Sequence, residues 1–280
     1  MPPRDEYKLA ILVVLYNKQI EECVTISSLC DSLEKIEFED RDVLIYIWNN
    51  GPSTIDYNSA SDRCQINLVE TIDNNSLSVI YNTFINEIIA RNYLLLDHDS
   101  VINPDYLREC FSNHEKYLIP LVMTSNGMQS PKFYRMPSHS FGKTMLAIGS
   151  GICLSKAACE ELKKHYGEVF DERFFFYGVD STFFLRINKI GNAKKIKVSS
   201  QNITHSLSRL EAEDESTTKF RVKERSYDQA LTLRYYFSIF TFFTVLKKII
   251  ASVSKSKSEI SLKFFMVAFF NGKHYKSKKR

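Results

Sequence analysis

Tyr93-Leu94-Leu95-Leu96-Asp97-His98-Asp99 is the stretch from which the rest of the chain can be read. An apolar run of strand length that breaks into acid is the signature of a buried strand whose carboxyl end reaches a polar site. Side chains alternate along an extended backbone, so Asp97 and Asp99 share a side while His98 points away, toward packing or outer-shell contacts. Outward from this run, the first 200 residues repeat one pattern of apolar strand-length segments alternating with amphipathic helix-length segments. Leu9–Tyr16, Val43–Trp48 and Ile66–Val69 read as strands, with helices at Ile20–Leu33 and Leu77–Ala90. Downstream, Pro104–Lys116 reads as a helix with proline in its first turn, and Leu118–Met123 and Ile148–Leu154 as strands. Helices follow at Lys156–His165 and at Asp180–Ile190, the latter ended by Gly191. Strands and helices in alternation specify an α/β domain with a largely parallel sheet, expected over residues 1–207. Gln129–Phe141 holds two prolines and no period, and reads as a loop or lid between the strand-end residues and the later helices.

With 280 residues, 44% hydrophobic and 25% charged, the chain is long enough for a substantial core and is neither fibrous nor disordered in composition. Its six cysteines include no Cys-x-x-Cys pair, which points to reduced, mostly buried thiols in place of a zinc ribbon or a disulfide framework. The charged opening Arg4-Asp5-Glu6 ahead of a short apolar run lacks the features of a signal peptide, so a cytoplasmic location is expected.

The net charge of +4 conceals an asymmetry. Residues 247–280 hold ten Lys or Arg against the single acid Glu259, which leaves 27 basic and 32 acidic residues in the first 246. A mildly acidic body with a basic tail is not the charge layout of a nucleic-acid binder, and no recognised binding module accompanies the tail. Residues 208–229 are dense in charge and read as a mobile connector or a solvated helix. Beyond it, Tyr236, Ile239, Phe240, Phe243, Leu246 and Ile250 recur at helical spacing opposite Ser238, Thr241, Thr244 and Lys248. The longest uncharged run there, Tyr235–Leu246, has 12 residues, short of the roughly 20 that cross a bilayer. Two readings remain for residues 230–280: amphipathic helices packed on the body, or helices lying on the inner face of the cell membrane. The second apolar block Phe264–Phe270 and the basic end favour the membrane.

Two carboxylates at a strand end suit a hard divalent cation, Mn2+ or Mg2+, which keeps coordination places for substrate phosphates. Asparagines gather at the other strand ends: Asn17 after the first, Asn49 and Asn50 after the second, Asn74 and Asn82 around the next helix. Such groups either form turns or hydrogen-bond a nucleotide. Asp180 opens a helix after an aromatic run, where a carboxylate either caps the helix or, facing a substrate, accepts a proton.

In this order, Val13-Val14-Leu15-Tyr16-Asn17, Trp48-Asn49-Asn50-Gly51, Asn74 with Asn82, Leu95-Leu96-Asp97-His98-Asp99 and Phe174-Phe175-Phe176-Tyr177-Gly178-Val179-Asp180, followed by Arg186 and Gly191, the chain resembles the inverting nucleotide-sugar glycosyltransferases of family 2. The branch it looks most like contains bacterial rhamnosyltransferases and enzymes of O-antigen and capsule synthesis. The resemblance covers about residues 8–206 and implies a Rossmann-like GT-A fold with a mixed, mainly parallel sheet. It implies a nucleotide-diphosphate sugar donor and a saccharide or lipid-linked saccharide acceptor. It would set Asn17, Asn49 and Asn50 against the nucleotide, Asn74 and Asn82 near its base, and Asp97 at ribose or metal. Asp99 would face the metal and diphosphate, and His205 would add a metal ligand. Asp180 falls on the catalytic base. Ser150 and Gly151 match a strand end where donor and acceptor sugars approach the backbone, and Tyr177 stands either against the acceptor sugar or in the core. The chain departs from the pattern at Ser76, where many members have Gly, and at Val179, where many have Glu. Asn49-Asn50 in place of an Asp-containing pair leaves the base open between uridine and thymidine. A non-catalytic nucleotide-sugar-binding membrane adaptor of the same fold is the alternative, and a two-metal phosphoesterase lacks enough ligands.

Overall fold

The computed structural model of the chain describes residues 6–39, 42–55, 65–135, 144–206, 215–254 and 259–277. Its elements run β1 (Tyr7–Leu15), α1 (Val24–Leu33), β2 (Val43–Asn49), β3 (Gln65–Glu70), α2 (Leu77–Glu87), β4 (Ala90–Asp97), β5 (Ser100–Val101), α3 (Pro104–Phe111) and β6 (Tyr117–Thr124). There follow β7 (Gly127–Ser130), β8 (Lys132–Tyr134), β9 (Thr144–Leu146), β10 (Cys153–Ser155), α4 (Lys156–Tyr166), α5 (Val179–Lys189) and β11 (Ile196–His205). Three helices close the chain: α6 (Glu215–Tyr235), α7 (Ile239–Ser254) and α8 (Leu262–Asn271).

Nine strands form one mixed sheet in the order β3-β2-β1-β4-β10-β6-β11-β5, with β7 beside β6, while β8 and β9 form a separate hairpin. The long ladders β1–β2, β1–β4, β2–β3 and β6–β11 are parallel, and the short strand β10 runs antiparallel to both its neighbours. The uninterrupted apolar run in β1 follows from burial on both faces. Ala10, Leu12 and Val14 pack with Ile80, Phe84, Leu162 and Phe183 of the helices on one side. Leu9, Ile11, Val13 and Leu15 pack with Leu29, Leu33 and Leu107 on the other. Cys23, Cys110, Cys153 and Cys159 are buried free thiols and Cys30 is exposed.

Differences from the sequence reading have local causes. The strand expected over Ile148–Leu154 shrinks to Cys153–Ser155 because the chain turns at Gly149–Gly151, where Ile152 N–H donates to Gly149 O (3.2 Å) and Gly151 has φ +91°. The described part of the Gln129–Phe141 loop forms β8 and the end of β7, and residues 136–141 lie outside the described residues. The charged stretch 208–229 is helical from Glu215, and that helix runs unbroken through residue 230 to Tyr235, burying Leu231 against the body and Ala230 among α7 and α8. His274 in the basic end is 3% exposed: its Nε2 lies 3.1 Å from Glu224 Oε2 and its ring stacks on Phe175 at 4.4 Å. Among the described residues no helix is long and apolar enough to cross a membrane.

Asn82 belongs to this packing. Its amide donates to Phe170 O (2.8 Å) and accepts from Phe170 N–H (2.9 Å), so it ties α2 to the segment that leads into α5. Asn82→Ala would leave a buried donor and a buried acceptor unmatched and is expected to cost about 1–3 kcal/mol of stability, measured by urea unfolding.

Candidate active site

A cavity of about 960 Å³ lies between the carboxyl ends of β4 and β11 and the helices α5, α6 and α7. Asp97 ends β4, Asp99 lies in the turn before β5, and His205 ends β11, paired across the sheet with Ser100. One potential ligand atom from each of Asp97, Asp99 and His205 lies within 4.8 Å of the others, and His205 Nδ1 is 3.2 Å from Asp99 Oδ1. Two carboxylates and an imidazole at this spacing fit a divalent cation of the Mn2+ or Mg2+ kind.

Small hydroxyls hold the cluster in place. Asp97 N–H donates to Ser150 Oγ (3.0 Å), Ser150 Oγ is 2.6 Å from Ser100 Oγ, and Ser100 Oγ is 2.9 Å from His205 Nδ1. From the other side, Thr25 Oγ1 donates to Asp97 O at 2.6 Å and accepts from Ser100 N–H at 2.8 Å. Ser150 is therefore buried beneath Asp97, orienting the acid pair. Burial pushes the Asp99 carboxyl above its ordinary range, His205 pulls it back, and the charge of Asp97 raises it again.

Asp180 lies across the cavity, one residue into α5, whose first flanking position is Gly178 at φ +84°. Its Oδ2 accepts from Gly149 N–H at 2.9 Å, so its side-chain bond goes to the facing turn and not to its own helix. Burial first, then the charges of Asp97 and Asp228, push the Asp180 carboxyl up to about 7, against the pull of the Gly149 N–H. A carboxyl that titrates near neutrality in a cavity beside a cation-type cluster is suited to accept a proton.

The asparagines separate into two groups. Asn17 and Asn74 both hold φ +52°, and Asn50 reaches Asn74 Oδ1 (3.2 Å) and Asn75 O (2.9 Å). Asn49 is buried and donates to Ser53 O and Glu70 Oε1, shaping the turn at Gly51. Asn17, Asn49, Asn50 and Asn74 thus gather at the ends of β1 and β2, while Asn82 stands apart on α2. Gly151 packs beneath the site, where an added Cβ would lie 2.6 Å from Pro120 Cγ. Tyr177 lines the cavity with the Arg225 guanidinium 5.3 Å from its ring centre.

Sequence reasoning assigned no part in the site to Gly149, Asp228 or the polar stripe of α7. Asp228 lies buried on the cavity wall, held by Gln229 Nε2 (2.6 Å) and Thr232 Oγ1 (3.1 Å). It is one acid in a charged run, and nothing local distinguishes it. Gly149 carried a visible signal as a glycine in a strand-like run.

No protein-family model and no curated protein sequence matches the chain. In structure it is similar to S. aureus TarS 1-349 in complex with UDP-GlcNAc, with a TM-score of 0.56 at 14% identity over 94% of this chain and 79% of that one. TarS 1-349 in complex with UDP gives a TM-score of 0.48 at 15% identity over 94% and 88%. The first likeness is one of fold: an α/β domain with a mixed, largely parallel sheet, extended by C-terminal helices.

Proposed function

We propose that the chain is an inverting glycosyltransferase that moves one sugar from a uridine or thymidine diphosphate-sugar to a hydroxyl of a saccharide acceptor, in the assembly of a bacterial surface polysaccharide. The observation that carries this reading is one cavity lined by the strand-end groups Asp97 and His205 and by Asp180, a separately held carboxyl pushed up to about 7. The uridine donor is also the kind of ligand held by the similar fold of TarS.

The residues divide the work. Asp180 accepts the proton of the acceptor hydroxyl while that oxygen bonds to the anomeric carbon; the bond from that carbon to the diphosphate breaks, and its electron pair leaves with the nucleotide. Approach from the face opposite the leaving group inverts the anomeric centre. Asp97, Asp99 and His205 would hold a divalent ion, which when bound supplies positive charge for the departing diphosphate. Ser100 and Ser150 fix the orientation of those ligands. Asn17 and Asn74 offer amides to the nucleoside, buried Asn50 holds Asn74 in place, and Tyr177 offers a face to the acceptor sugar.

The test is calorimetry with UDP, TDP, GDP and CDP, each with and without manganese. One diphosphate is expected to bind only with the ion, and Asp99→Ala is expected to weaken it at least about tenfold, the loss that even outer-shell partners of a metal produce. Failure of all four to bind would end the donor-site assignment.

A further inference from the structure

α7 is oriented against the usual rule for an amphipathic helix on a globular body. Thr241 and Lys248 of its polar stripe line the catalytic cavity together with Phe240 and Val245. Half a turn away, Ile239 is 63% exposed, Phe243 51% and Ile250 59%, and Phe242 and Leu246 are exposed with them. These five positions fall within one narrow stripe on a helical projection, directly opposite the cavity-lining residues. The next helix repeats the feature, since α8 leaves Met266 and Phe270 exposed while Phe265 and Ala268 pack with Tyr227 and Val245.

Charge decides what covers such a surface. Lys247, Lys263 and Lys273 are exposed beside these apolar positions, and residues 247–280 carry ten basic residues and one acid. A second copy would bring two such tails together, whereas an anionic lipid surface matches both the apolar stripe and the charge. We propose that the bare stripe of α7, with the exposed face of α8, lies in the head-group region of an anionic bilayer, so that the catalytic cavity opens one helix diameter from the membrane. Resting on the transferase reading above, this makes the acceptor an amphiphile: its lipid stays in the bilayer while its sugar end passes α7 to reach Asp180.

The test is co-sedimentation of the full chain with phosphatidylcholine vesicles, with and without phosphatidylglycerol, for the wild type and for Phe243→Glu combined with Leu246→Glu. Both sites are exposed, so the melting temperature of the double variant should match the wild type. The wild type is expected to bind the anionic vesicles, and the double variant at least about tenfold less. Equal binding of the two proteins would overturn the proposal, because the basic residues alone would then account for attachment. A wild type that stays in solution and becomes monomeric only with the two substitutions would overturn it in favour of a second copy. Neither readout requires a donor or an ion, so failure of the transferase reading shows separately, in the nucleotide titrations.

Discussion

Asp180→Asn is expected to lower sugar transfer by about 10²–10⁴-fold, the usual share of a positioned proton acceptor, while nucleotide affinity stays at the wild-type value. The substitution keeps shape and keeps an oxygen for the Gly149 N–H, which now donates to Asp180 Oδ2 at 2.9 Å, but it removes the proton-accepting charge. Stability separates this role from a structural one. The Asp180 carboxyl titrates near 7 in the folded chain against an ordinary value of 3.8, so the folded state holds the proton more tightly than the unfolded state. Stability therefore falls as pH rises through that window, by up to about 4 kcal/mol for a shift of that size. The Asn variant escapes this loss. In ion-free protein its melting temperature should match the wild type near pH 4 and exceed it at pH 8. A variant that melts lower at pH 8, or that still turns over, would remove Asp180 from the base position. A wild type that binds nucleotide diphosphate with manganese yet neither transfers nor hydrolyses a donor sugar would instead favour the adaptor alternative.

The opening half of the sheet is legible because its strands are covered on both faces. Burial of both Ala10 and Leu9 writes an unbroken apolar run, and the break at Asp97 marks where the strand leaves the core. β11 was not legible: its outward positions alternate with buried Ser199, Ile203 and His205, and Ser199-Ser200-Gln201-Asn202 hides the period. The helix pattern of residues 236–250 was read with Ile239, Phe243, Leu246 and Ile250 opposite Thr241 and Lys248, as they stand, but with buried Tyr236 and Phe240 in the same apolar stripe, and a stripe does not say which way it faces. Packing rules turn the apolar side inward by default. Here a polar wall for the cavity takes precedence at Thr241 and Lys248. Contacts made across long separations were equally invisible, since Asp228 comes near Asp180 only because α6 folds back over Gly178, whose added Cβ would lie 2.2 Å from Asp228 Oδ1.

Gly149 provides the sharpest test of how the site is held, because the same turn contains a glycine with a different duty. A Cβ built on Gly149 would stand 2.4 Å from Asp180 Oδ1 and 2.8 Å from its Cγ, closer than side-chain carbons approach any atom. Its backbone lies outside the left-handed region, so alanine meets no conformational obstacle and the whole effect falls on the carboxylate. Gly149→Ala must displace Asp180 from the Gly149 N–H. Misplacement of a reacting group by about 1 Å costs on the order of 10²-fold in rate, so kcat/KM should fall by about that factor with nucleotide affinity unchanged. Gly151→Ala, two residues on, meets Pro120 and Ile203 and must also hold φ +91°, so its loss is expected in unfolding free energy and not in the rate per folded molecule. If Gly149→Ala transfers sugar as fast as the wild type, the carboxylate seen against this turn is not the one that takes the proton.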